Sequence, residues 1–110
     1  MIFLWDDFNR RHVVRHGVRR EDAEFVVENA APPYPRRKEE GKLLVWGADR
    51  AGRIIEVIYA LRSGEEIEFE SIDPMDVAEI SEKENVVAVY IIHAMPLDGR
   101  RLMQYRRNRR

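Results

Sequence analysis

The chain has 110 residues, the size of one ordinary domain, so a single unit spanning residues 1–110 is expected and a second core is not. It contains no cysteine, which excludes disulfides, thiolate metal sites and cysteine nucleophiles and fits a reducing, cytoplasmic setting. The formal net charge of −1 hides a division: residues 63–86 hold nine acidic side chains against Lys83 alone, for −8, whereas the remainder carries +7.

Met1 to Trp5 is an apolar run that meets Asp6 and Asp7 with no basic stretch before it, so it reads as a strand and not as a signal peptide. No run approaches the ~20 apolar residues of a membrane span. Asp6 is placed to cap a helix continuing to about His16, with Asp7 where the helix dipole favours negative charge. The few apolar positions of that helix (Phe8, Val13, Val14) predict a largely wet surface element, and Gly17 is a stop. Arg20 to Asn29 carries Ala23, Val26 and Val27 at helical spacing, which predicts a second, better-buried helix. Pro32, Pro33 and Pro35 then open a polar connection over residues 31–42.

Leu43 to Gly47 and Arg53 to Leu61 read as two strands of a hairpin, turned around Asp49 and Gly52. The second is nearly continuous in apolar residues (Ile54-Ile55-Glu56-Val57-Ile58-Tyr59-Ala60-Leu61), as expected of a central strand covered on both faces. Glu66 to Ile72 alternates, Pro74 to Ser81 suits a short helix, and Val86 to Ile92 is another strand. Asp98 can cap a final helix through about Arg107, with Leu102, Tyr105 and Met103 facing inward. Helices followed by strands give an α+β domain: an antiparallel sheet of four to five strands, two N-terminal helices and one C-terminal helix. Trp5, Trp46, Tyr59 and Tyr90 lie in strand-like runs and are expected in the core.

Sixteen of the nineteen basic residues are arginine, six of them between Arg100 and Arg110. Arginine forks suit phosphates, so Arg10, Arg11, Arg15, Arg53, Arg106 and Arg107 are the expected nucleic-acid contacts. A solvated Arg-rich surface is the other reading of the same charge. His12 and His16 share a helix face and His93 ends a strand. No carboxylate is tied to the helical pair by spacing, so half-buried or surface histidines are expected rather than a metal site. His16, at a helix end beside arginines, is the acid–base candidate. Gly-x-Ser-x-Gly, P-loop and dinucleotide-binding motifs are all missing. What remains open is RNA cleavage without a metal or other cofactor, which needs a base, an acid and cations on the phosphate.

Trp5-Asp6 with Asn9, Arg15-His16-Gly17-Val18, Glu21-Asp22-Ala23-Glu24, Trp46-Gly47, Gly52-Arg53, Val57-Ile58-Tyr59, and Ile92-His93-Ala94-Met95-Pro96 leading to Arg101 and Tyr105 stand in an order that resembles the BrnT-like type II toxins. The resemblance implies a RelE/ParE-like fold and a translation-halting ribonuclease paired with a DNA-binding antitoxin. It implies His16 and Tyr105 as site residues, RNA as substrate, and no membrane; Arg100 and Arg101 are the candidates to stand in at the phosphate for cations the family has elsewhere, and a second copy of the chain is a further partner to consider. The chain departs from the family at Met95 and Leu102, where arginines are usual, and in the acidic insertion at 63–86, which can extend the sheet or dock on the basic body. An inert member of the same fold, binding a protein or a nucleic acid, is the alternative.

Overall fold

The computed structural model describes residues 1–63 and 87–108. The strand expected at Glu66–Ile72, the helix at Pro74–Ser81 and any docking of the acidic insertion lie outside these residues. The described elements are β1 (Ile2–Leu4), α1 (Asp7–Arg15), α2 (Arg20–Glu28), β2 (Arg36–Arg37), β3 (Lys42–Ala48), β4 (Ile54–Ser63), β5 (Val87–Pro96) and α3 (Gly99–Asn108). They form an α+β fold around a five-stranded sheet of order β1-β5-β4-β3-β2. No described helix is long and apolar enough to cross a membrane.

The helix boundaries have local causes. The Asp6 side chain accepts from the Asn9 N–H at 3.0 Å while the Asn9 side chain accepts from the Asp6 N–H at 2.7 Å, a reciprocal cap. Gly17, at φ +75°, turns the chain into α2. At the β3–β4 hairpin Asp49 accepts from the N–H groups of Ala51 and Arg53, both at 2.9 Å, and Gly52 takes φ +86°. The proline-led connection is less irregular than expected. It buries Tyr34 and adds β2, which pairs with Leu43 and Leu44 of β3.

The sheet corrects the expectation of a wholly antiparallel arrangement, because β1 runs parallel to β5, pairing Ile2, Phe3 and Leu4 with Ala88, Val89 and Tyr90. Among the described residues two α-helices and three strands intervene between the two, so no hairpin constrains their direction. β4 is central as expected, with β3 and β5 antiparallel on either side. β5 runs on to Pro96, beyond the expected end at Ile92.

Strand alternation divides the side chains between two faces. Val45, Val57 and Ala94 stand in one cross-strand row, each fully buried. Gly47 shares that face, where a Cβ would meet Val26 of α2 at 3.3 Å. With Phe3, Trp5, Val13 and Val18 these residues make the main core, each buried aliphatic side chain contributing about 1.5–3 kcal/mol. Trp46, Glu56 and Met95 form the adjacent row on the opposite face, where Arg101 of α3 reaches Glu56. Trp5, Trp46 and Tyr59 are buried as expected, while Tyr90 is half-buried. In α3 Tyr105 is buried and Leu102 half-buried, but Met103 stays 60 % exposed. In α1 only Val13 of the apolar trio is buried; Phe8 and Val14 are exposed, and the second buried position is Asn9.

Candidate active site

Asn9 explains how α1 is positioned. Beyond Leu4 this edge of β5 has no strand partner among the described residues, and the Asn9 Nδ2 group donates to the carbonyls of Leu4 and Ile91, both at 2.9 Å. Together with the Asp6 cap, every polar atom of this fully buried side chain is engaged. Asp6 also accepts from the Tyr90 hydroxyl at 2.9 Å; burial and this bond hold the phenol protonated far above its usual range. α1 is thereby fixed along the β5 edge, with His12 and His16 one turn apart.

A bulge brings His93 to meet them. Ile91 pairs with Tyr59 but His93 pairs with the next residue back, Ile58, so Ile92 is the extra residue. In an unbroken strand His93 would follow the face of Ile91, which is fully buried in the core. The shift turns it to the face of Ile58 and Glu56 instead. Its ring lies 5.4 Å from that of His16 and 6.0 Å from that of His12, and the two helical rings are 5.6 Å apart. Phe8 stacks on the outer side of His12 at 5.9 Å.

Glu56, 3 % exposed, is the only acidic residue in the apolar run of β4. Its carboxylate accepts a charge-assisted hydrogen bond from Arg101 and lies 3.8 Å from Nε2 of His93. The Arg101 guanidinium also covers the Trp46 ring at 5.7 Å, and its side chain remains 38 % exposed. Burial lowers the His93 pKa below its ordinary value, and the cations that His16, His12 and Lys38 can present lower it further. The patch therefore combines two neighbouring imidazoles, a carboxylate able to stabilise a charged one, and an arginine with donors left for an anion.

The site residues expected from sequence are only partly united. His16 and Arg101 belong to this patch. Tyr105 is buried beside Trp46, its ring stacked 6.2 Å from that of Tyr34. Arg100 is exposed at the start of α3, on a different side of the helix from Arg101. Arg10, Arg11 and Arg15 share α1 with the histidines, and Arg106 and Arg107 are exposed at the far end of α3. Arg53 has a structural task, pairing with Asp49 at 3.2 Å and donating to the Gly17 carbonyl at 3.2 Å. The three histidines are half-buried as expected, and they form one cluster. Glu56 was not anticipated; a single carboxylate within an apolar strand was its sequence signal.

With this geometry in place, the chain was compared with known proteins. No protein-family model, no curated protein and no solved structure matches it.

Proposed function

We propose that the chain is a BrnT-like toxin with a RelE/ParE-like fold, an endoribonuclease that halts translation and whose proton transfers are carried by side chains alone. The observation that carries this reading is the convergence of His16, His93, Glu56 and Arg101 on one partly exposed patch. One imidazole removes the proton of an RNA 2′-hydroxyl, whose oxygen attacks the adjacent phosphorus. The other delivers a proton to the departing 5′-oxygen, leaving a 2′,3′-cyclic phosphate. His93 suits the first role, since Glu56 stabilises the imidazolium that forms, and His16 then suits the second. Arg101, held in place by Glu56, offers its remaining N–H groups to the phosphate. A DNA-binding antitoxin would be the partner that covers this patch. Met95, which pairs with Glu56 where the family places an arginine, favours the competing reading of an inert binding module.

Purified protein on end-labelled RNA, in the presence of EDTA, separates the two. We expect cleavage to cyclic-phosphate ends, reduced at least ~10²-fold by His16→Gln or His93→Gln and about 10²-fold by Arg101→Ala. Controlled expression should arrest bacterial growth, and the same substitutions should relieve it at equal soluble protein levels. Intact RNA and unimpeded growth with abundant folded wild type would establish the inert module instead.

A further inference from the structure

We propose that His12, His16 and His93 form a binding site for a divalent transition ion of the zinc class. One ligand-capable atom from each lies within 4.8 Å of the others. Tetrahedral zinc with Zn–N bonds of about 2.0–2.1 Å places its nitrogens about 3.3 Å apart. Closing the triangle therefore requires side-chain rotations of no more than about 1.5 Å, over a backbone already fixed by the Asn9 bonds to Leu4 and Ile91. Two ligands one helical turn apart and a third from a neighbouring strand give three fixed positions, with the fourth left to water.

The surroundings fit the same ion. Three imidazoles favour Zn²⁺, Co²⁺, Ni²⁺ and Cu²⁺ over the oxygen-seeking Mg²⁺ and Ca²⁺. Glu56, 3.8 Å from His93 Nε2, stands where an outer carboxylate orients a ligating ring and offsets the ion's charge. Phe8 stacked on His12 limits the ring positions that ligand can take. On the function proposed above, and resting on it, a bound ion occupies the nitrogens that carry protons, so zinc shuts cleavage off.

The test uses untagged, EDTA-stripped, full-length protein. Calorimetric titration with Zn²⁺ should show one site with Kd on the order of 1 μM or tighter, and Co²⁺ should give the visible absorption of a low-symmetry nitrogen site. At 100 μM Zn²⁺ the Tm should rise by at least about 5 °C, with no response to Mg²⁺. His12→Gln lies outside the acid–base pair; it should weaken zinc at least ~10-fold while leaving metal-free RNA cleavage unchanged and making it resistant to zinc. Absence of saturable uptake by folded protein overturns the site, as does undiminished affinity in both His12→Gln and His93→Gln. Zinc uptake through the three histidines by a chain that cleaves no RNA would leave the site standing and remove the ribonuclease.

Discussion

Asn9 joins three elements through one amide, and its replacement should be felt throughout the molecule. Asn9→Leu leaves the carbonyls of Leu4 and Ile91 and the N–H of Asp6 without their present partner in a buried setting. The expected cost is about 3 kcal/mol or more, seen as a fall in Tm of over ~10 °C; a loss under ~3 °C would show that water or rearrangement replaces these bonds. Glu24 makes the opposite case. It accepts from Trp5 Nε1–H at 3.1 Å, but burial raises its pKa above the ordinary value, ahead of the lowering by that bond and by Arg20. A carboxyl whose pKa is raised by folding contributes its stabilisation below about pH 4.5, and that contribution is lost as the pH climbs through the raised value. Glu24→Gln keeps an acceptor for Trp5 without the charge. Its melting temperature should match wild type near pH 4 and exceed it by about 1–3 °C at pH 7; an equal or lower Tm at pH 7 would contradict this account.

At the scale of elements, α2 packs on the sheet over Gly47, where a side chain would press on Val26. Valine normally suits a strand, so a loss of about 1–3 kcal/mol in Gly47→Val, measured by urea unfolding, isolates that contact; neutral behaviour would mean α2 can move away freely. The same scale shows what was legible in the sequence. Asp6, Gly17, Asp49 and Gly52 marked helix ends and the hairpin because caps and turns depend on neighbours in the chain. The apolar run of β4 announced the central strand, and His16 and Arg101 were candidates that the structure places in the patch around Glu56 and His93. The parallel β1–β5 pairing, the bulge at Ile92 and the role of Glu56 were not legible, since each depends on partners far away in sequence. A one-residue register shift carries no compositional mark, yet it decides whether His93 points into the core or joins His16. Helical spacing likewise shows that Tyr105 faces inward but not that Tyr34 and Trp46 are the aromatic neighbours that receive it.

For the whole molecule, both described sheet edges are short. β2 contributes two arginines in a proline-led segment, and β1 three residues before Asn9 takes over the edge of β5. Short, charged or side-chain-covered edges discourage strand-to-strand association with other chains. Among the described residues, arginines are spread over several elements: Arg10, Arg11 and Arg15 on α1, Arg101 against Glu56, Arg53 tied to the hairpin, and Arg106 and Arg107 at the end of α3.

The pairing of β1 with β5 also has a consequence in time. Asn9 and the carbonyl it holds at Ile91 are 82 positions apart, and contacts of such separation form late and slowly. During synthesis from the N-terminus, α1 emerges early but has no strand edge to settle on until β5 leaves the ribosome. His12 and His16 are made well before His93 and meet it only once β5 has formed. Any activity centred on these histidines is therefore withheld until β5 has emerged from the ribosome.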